Sequence, residues 1–150
     1  MITVNYRIMI TKQVSVFLEN KSGRLNEVTR ILGDNGINIS AFSIADSSDF
    51  GVLRMIVPDP DKALSLLKDH HFSVQITPVI ILTSPNKPGA LSRLLTILSE
   101  DNIFIEYIYA FSMNENSAVI VIRPTDIERC LRVLEERKDE LLAKDDKYIL

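Results

Sequence analysis

Tryptophan is absent from this chain of 150 residues, and cysteine occurs only once, at Cys130. A lone cysteine forms neither an internal disulfide nor a cysteine-based zinc site, which excludes a disulfide-stabilised secreted domain. No apolar run approaches the ~20 residues that a transmembrane helix needs, and no Lys/Arg tract is present to attract a phosphate backbone. We therefore expect a soluble, cytoplasmic protein, without a secretory leader, that binds neither nucleic acid nor membranes.

Apolar residues, in contrast, make up 46% of the chain, and the formal net charge is only −3. A compact chain of this length buries roughly 70% of the surface that its unfolded form exposes. The composition therefore excludes an intrinsically disordered chain, and the length allows one ordinary domain or two small ones.

An internal repeat is the strongest signal in the sequence. Residues 20–58 overlay residues 86–124 at a constant offset of 66 residues, which indicates a duplicated structural unit. The matched positions include Leu25 and Leu91, Ile31-Leu32 and Ile97-Leu98, Ile37 and Ile103, Ile39 and Ile105, and Pro58 and Pro124.

Hydrophobic periodicity predicts the same elements in each copy. In copy two, Thr125-x-x-Glu128 also predicts a capping box at the start of the second helix. For copy one the periodicity predicts a strand over 14–18, a helix from about Leu25 to Asn35-Gly36, hairpin strands over 37–45 and 51–57, a second helix from Asp59-Pro60 and a closing strand over 72–76.

The order strand, helix, strand, strand, helix, strand predicts an α+β fold. Each copy is expected to be a ferredoxin-like βαββαβ module, an antiparallel sheet with helices on one face. One module covers 11–77 and the other 78–150, and only Thr77 and Pro78 separate their strands, so we expect a fixed pair. Residues 1–10 lie outside the repeat; the sequence leaves open whether they form an extra strand or extend the first.

The turn before each first helix, together with the strand after it, resembles the ACT domain, a small-molecule-sensing module of amino-acid metabolism. Apart from its first ten residues, the chain resembles the stand-alone tandem ACT proteins that bind amino acids. The motifs that carry the resemblance are Asn20-Lys21-Ser22-Gly23-Arg24-Leu25 with Gly36-Ile37-Asn38-Ile39, and Asn86-Lys87-Pro88-Gly89-Ala90-Leu91 with Asn102-Ile103-Phe104-Ile105.

The resemblance implies two modules side by side, with adjacent second strands that join the sheets into one eight-stranded sheet. It also implies a free amino acid at the seam, held by the strand-to-helix turn of one module and the second strand of its neighbour. By this resemblance the ligand contacts the side-chain amides of Asn20, Asn38 and Asn86. Phe104 stands where an Asn is expected in copy two. The implied ligand-binding residues are Asn20, Ser22, Gly23, Arg24, Leu25, Asn38, Ile39, Asn86, Gly89, Ala90, Leu91 and Ile105.

The chemistry of these residues favours binding over catalysis. Gly23 and Gly89 precede helices whose first N–H groups and positive dipole end attract a carboxylate. An Asn amide both accepts from an ammonium group and donates to a carboxylate without ionising. Simpler interpretations stay open, because the Asn residues can be turn formers and Ser22 can cap the first helix.

Other conspicuous residues carry no predicted chemistry. His70-His71 are neighbours that do not face one site on a helix, so we expect neither a metal nor another cofactor. Asp49-Phe50-Gly51 is predicted to be a hairpin turn, since no phosphate loop accompanies it. Cys130 is predicted to be buried and inert, and Tyr107 and Tyr109 to pack in a core or interface. No nucleophile, base and orienting acid can be assembled, so we expect no enzyme activity.

Apolar residues on both faces of the hairpin strands, over 52–57 and 118–122, indicate that the helix-free face of the sheet is covered. We expect a homodimer, or a docked protein, on that face. The main functional hypothesis is a non-enzymatic amino-acid sensor that regulates an enzyme of amino-acid metabolism in trans. The alternative is a structural or regulatory subunit that acts through protein association and binds no ligand.

Overall fold

The computed structural model describes residues 7–19, 22–46, 49–112 and 115–141. Up to residue 136 the strands and helices follow the predicted order, with one continuous strand in place of the two predicted on either side of Thr77 and Pro78, and the α+β class is confirmed. The elements are β1 (Ile8–Glu19), α1 (Arg24–Asp34), β2 (Ala41–Asp46), β3 (Phe50–Ile56), α2 (Pro60–Asp69), β4 (Ser73–Pro85), α3 (Ala90–Glu100), β5 (Ile105–Ser112), β6 (Ser117–Pro124), α4 (Ile127–Glu136) and α5 (Lys138–Leu141).

Two compact units divide the chain. The amino-terminal unit consists of residues 12–77, and the carboxy-terminal unit combines the described residues up to Thr11 with those from Pro78 onward. Both β1 and β4 therefore contribute residues to each unit, and each unit has four strand segments.

The described residues form six antiparallel strands in the order β2-β3-β1-β4-β6-β5, and not the eight that we expected. The number is lower because Thr77 and Pro78 lie inside the continuous strand β4. A residue before proline prefers extended backbone, so this pair makes no turn. In the part of the chain that the structure describes, β2 pairs with β3 and β5 pairs with β6, and the expected pairing of the two second strands is not found.

The amino-terminal unit buries one face of its sheet against α1 and α2. In the register of β1 and β3, Val14 lies opposite Met55 and Val16 lies opposite Leu53, and all four side chains are buried. Because side chains alternate along a strand, Ser15, between Val14 and Val16, points to the other face. The helices contribute buried apolar residues to this core, namely Val28, Ile31, Leu32, Ala63 and Leu67.

The carboxy-terminal unit repeats this packing with α3 and α4. Ile80 lies opposite Ile122 and Leu82 lies opposite Ile120 in the register of β4 and β6. The helix residues in this core are Leu94, Ile97, Leu98, Cys130, Val133 and Leu134.

The start of β1 belongs to the carboxy-terminal unit. The Thr83 N–H donates to the Arg7 carbonyl at 2.9 Å, and Ile8 packs against the core of this unit. Of the two interpretations that the sequence left open, the structure confirms that residues 8–10 extend the first strand.

A short helix stands where the repeat places the closing strand of copy two. Residues 72–76 correspond to residues 138–142 at the repeat offset, and there the chain forms α5 (Lys138–Leu141). The physical reason is the charged sequence of this segment: Arg137 Nε donates to the Glu140 carboxylate at 2.5 Å, and only Leu141 is buried. Residues beyond 141 lie outside the described part of the chain.

Candidate functional site

The N-termini of α1 and α3 lack a side-chain cap. Each helix follows a glycine in the left-handed region, Gly23 at φ 87° and Gly89 at φ 88°, a conformation that glycine adopts without steric cost. By contrast, Asp59 caps α2 by accepting from the Lys62 N–H at 3.1 Å. The first N–H groups of these two helices therefore depend on acceptors from the backbone, water or a ligand.

One predicted cap is wrong, and one cap that the sequence left open is not found. Ser22 does not cap α1, because the N-cap position is Gly23 and no side chain bonds there. The predicted capping box at Thr125 is replaced by Asp126, whose carboxylate accepts from the Arg129 N–H at 3.1 Å. The helix begins one residue later than the box required, so the neighbouring carboxylate reaches the first turn.

The predicted amide contacts have different outcomes. Asn20 lies outside the described residues. Asn86 lies directly after β4, and its Nδ2 donates to the Glu115 carbonyl at 3.4 Å while its N–H donates to the Asn116 carbonyl at 3.0 Å. These bonds support the interpretation of Asn86 as a turn former, and its contact with a ligand stays a prediction.

Arg24 is engaged by its own unit. Its Nη1 lies 3.0 Å from the Glu27 carboxylate, and its guanidinium carbon lies 4.4 Å from the ring centroid of Phe72. The first turn of α1 therefore carries an ion pair and a cation–π contact. Copy two has Ala90 at this position and lacks both.

An open groove runs along the exposed side of α3. Leu91, Leu95 and Ser99 follow one another at intervals of four residues and form its floor, beginning in the first helical turn after Gly89. The groove has a volume of about 500 Å³, and a second cavity of about 320 Å³ shares Leu95 and Ser99 with it. We call the two together the α3 groove; its other lining residues are Ser92, Thr96, Leu98, Glu100, Asn102, Ile103, Phe104 and Ile105.

The α3 groove brings together two of the predicted residues, Leu91 and Ile105, with one that departs from the family pattern, Phe104. Phe104 is 70% exposed and stands immediately before β5. Leu95 and Ser99 were missed by the sequence analysis. The sequence could have indicated Leu95 and Ser99, because they follow Leu91 at intervals of four residues on the side of the helix away from the core.

The corresponding residues of the amino-terminal unit precede β2 and do not lie within it. Asn38 is exposed in the segment between α1 and β2, whereas Ile39 packs against the core. Asn38 and Phe104 thus occupy the same position in the two copies, one polar and one aromatic.

The remaining candidates are Cys130 and the side chains that could bind a metal ion. Burial, with a smaller contribution from Asp126, raises the pKa of the Cys130 thiol to about 11, so the thiol is neutral at physiological pH. Within the described residues, no group of His, Cys, Asp or Glu side chains is arranged to hold a metal ion. None of the helices in the same part of the chain is long and apolar enough to cross a membrane.

Comparison with known families identifies the family of this chain. The sequence matches the ACT domain pair family over residues 9–149. This chain belongs to the ACT domain pair family. The crystal structure of protein BT0572 from Bacteroides thetaiotaomicron matches the ACT pair with 54% sequence identity and a TM-score of 0.83, over 87% of this chain and 90% of that one. A comparison with curated proteins gives no match.

Aspartate kinase regulators share the fold of the ACT pair at low sequence identity. The ligand-free regulatory subunit of aspartate kinase from Thermus thermophilus is 13% identical with a TM-score of 0.62, over 89% of this chain and 97% of that one. E. coli aspartokinase III in complex with lysine and aspartate is 16% identical with a TM-score of 0.56, over 91% of this chain and 32% of that one. At these identities the likeness concerns the fold alone.

Proposed function

We propose that this ACT domain pair is a non-enzymatic sensor of free amino acids, which regulates an enzyme of amino-acid metabolism in trans. The observation that carries the proposal is the uncapped glycine turn before α3, which is followed in the first helical turn by Leu91, a lining residue of the α3 groove. The aspartokinase III structure, which has the same fold, contains the amino acids lysine and aspartate. A cytoplasmic location, where free amino acids are abundant, fits this function.

A zwitterion fits the chemistry of such a site. The first N–H groups of α3 or α1 would receive the α-carboxylate, because the positive end of the helix dipole lies there. In copy one, Asn20 and Asn38 would bind the polar ends of the ligand, and the Arg24–Glu27 ion pair would border the turn. The edges of β2 and β5 that face away from their partner strands would complete the site by meeting a neighbouring ACT unit.

Thermal unfolding in the presence of each proteinogenic amino acid tests the proposal. A ligand that binds only the folded chain adds about 2.7 kcal/mol of stability at about 100 times its Kd. We expect such a shift with at least one amino acid. If no amino acid shifts the transition, the sensor function is wrong.

Two substitutions test the copy-one site. Asn20→Ala and Asn38→Ala should abolish the shift of a ligand bound there and leave the unliganded transition unchanged. Asn26→Ala is the matched control, because Asn26 is exposed on α1 and outside the predicted site. A shift that survives both substitutions would show that the ligand binds elsewhere.

A structural subunit is the second candidate function, and one feature of the carboxy-terminal unit favours it. Tyr109 lies opposite Val121 and Phe111 opposite Val119 in the register of β5 and β6, on the face away from α3 and α4. Tyr109 and Phe111 are half-buried, so the helix-free face presents an aromatic surface. We propose a homodimer through this face; sedimentation that shows only monomer at micromolar concentration would contradict it.

A further inference from the structure

Arg123 lies on β6, the strand between β4 and β5 in the sheet. We infer that Arg123 is a positioning residue of the carboxy-terminal unit, which holds the start of β5 and with it Ile105, one of the predicted ligand-binding residues. The inference rests on the proposed function, because it names the residue that keeps one of the candidate sites in place.

The Arg123 side chain bonds both neighbouring strands. Its Nη1 donates to the Pro78 carbonyl on β4 at 2.6 Å, and its Nε lies 3.4 Å from the Glu106 carboxylate on β5. Only 25% of the Arg123 side chain is exposed, which limits the other positions that it can take. A planar guanidinium holds its donors at fixed angles, so that one arginine can join two strands.

The acceptor on β4 lies beyond the backbone pairing of β4 with β6. In the described register this pairing begins at Ile80, opposite Ile122. Pro78 has no N–H with which to extend it. The Arg123 side chain therefore joins β6 to β4 at a point where the two backbones are not paired.

A bulge in β5 places Glu106 beside Arg123. Ile105 lies opposite Pro124 and Tyr107 lies opposite Arg123, so Glu106 is an additional residue on β5. An inserted residue turns the side chains before and after it to different faces of the sheet. Ile105 accordingly packs against the core under the helices, whereas Tyr107 lies on the helix-free face.

The amino-terminal unit lacks this bridge and has a shorter second strand. At the offset of 66 residues, Arg123 corresponds to Val57 and Glu106 to Ser40, which cannot form an ion pair. Strand β2 also begins two residues later in its copy than β5 does in the other. The bridge and the longer strand occur in the same copy, as expected if the bridge holds the additional residues in the sheet.

The Thr125 N–H reports on the segment that Arg123 holds. It donates to the Phe104 carbonyl, directly before β5, at 3.0 Å. Loss of the bridge should open this bond more often without disturbing the opposite end of the same strands. At that end the Asn86 N–H donates to the Asn116 carbonyl at 3.0 Å and serves as the internal control.

Amide hydrogen exchange of the full chain, followed by NMR, tests the inference. In Arg123→Ala the Thr125 amide should exchange about tenfold faster, with the Asn86 amide unchanged. Arg123→Lys should lie between wild type and Arg123→Ala, because a single ammonium group matches two separated acceptors less well. Arg132→Ala is the matched control, since it removes an exposed arginine from α4 of the same unit, and it should change neither amide.

Three results of the exchange experiment would overturn the inference. The first is the same Thr125 exchange rate in wild type and Arg123→Ala. The second is an Arg123→Lys variant as well protected as wild type, because charge alone would then suffice. The third is equal acceleration at Thr125 and Asn86, because it would show a general loss of stability in place of a local release.

Titration with each proteinogenic amino acid gives the second readout. An amino acid bound by the carboxy-terminal unit should keep its thermal shift in Asn38→Ala, and its Kd should rise about tenfold in Arg123→Ala but not in Arg132→Ala. An unchanged Kd in Arg123→Ala, or the loss of every shift in Asn38→Ala, would overturn the inference and leave the sensor function standing. If no amino acid shifts unfolding even in wild type, the sensor function is wrong, and the exchange of Thr125 still decides whether Arg123 holds β5.

Discussion

Replacing glycine by alanine should have opposite effects at two positions of this chain. Gly89 precedes α3 at φ 88°, whereas Gly33 lies within the last turn of α1. An added Cβ meets no atom within 4 Å at either position. Any change in stability therefore comes from the backbone conformation and not from a steric clash.

The magnitudes follow from the backbone conformation of each glycine. A left-handed conformation costs an L-residue roughly 1–2 kcal/mol, and the loss of freedom in the unfolded chain offsets about 0.4–1 kcal/mol of this. Gly89→Ala should therefore destabilise the chain by about 0.5–1 kcal/mol. Gly33→Ala should stabilise it by about 0.5–1 kcal/mol, because alanine is the better helix former.

Urea unfolding, followed by circular dichroism, measures both effects. With m values of about 1–3 kcal/mol/M, the midpoints of the two variants should differ by about 0.3–2 M. Gly23→Ala, at φ 87° in the other unit, repeats the experiment and should resemble Gly89→Ala. Equal midpoints for the Gly89 and Gly33 variants would refute the conformational argument.

Three further predictions concern the carboxy-terminal unit. Asp126→Ala removes the cap of α4 and should cost about 1 kcal/mol in urea unfolding; Thr125→Ala, next to it, should cost much less. Leu98→Ala opens a cavity in the core and should cost about 2–5 kcal/mol in the same assay, and a smaller loss would indicate that the site collapses. Cys130, with its pKa raised to about 11, should resist Ellman's reagent at pH 8 until urea unfolds the chain. Since the unfolded thiol ionises near pH 9.0, the contribution of Cys130 to stability should be complete below that pH and decline as the pH rises from 9 to 11.

The helix faces and hairpins of this chain could be read from the sequence because they depend on local pattern. Val28, Ile31 and Leu32 are buried on the predicted helix, whereas Leu25 at its start is 39% exposed, and the hairpin of β2 and β3 has the predicted order. Helix caps were harder to predict from the sequence. Thr125 and Asp126 are both good capping residues, and a shift of one position in the helix start decides which of them is the cap.

Long-range pairing explains most of what the sequence could not predict. No local signal indicates that residues 8–11 pair in the carboxy-terminal unit, or that Asn86 bonds the backbone of residues 115–116. The α3 groove could not be predicted from the sequence for a similar reason. Leu95 and Phe104 are separated along the chain and line the same cavity only where α3 ends beside β5.

The sharing of β1 between the units has a consequence for synthesis on the ribosome. Residues 8–11 leave the ribosome before the strand beside which they lie, because that strand, from Pro78 onward, is made only after the whole amino-terminal unit. Until then the nascent chain exposes the unpaired polar backbone of this segment, a form that invites association with other chains. Expressing residues 78–150 alone would remove the same segment for good, so we expect this fragment to be less stable than the carboxy-terminal unit of the full chain.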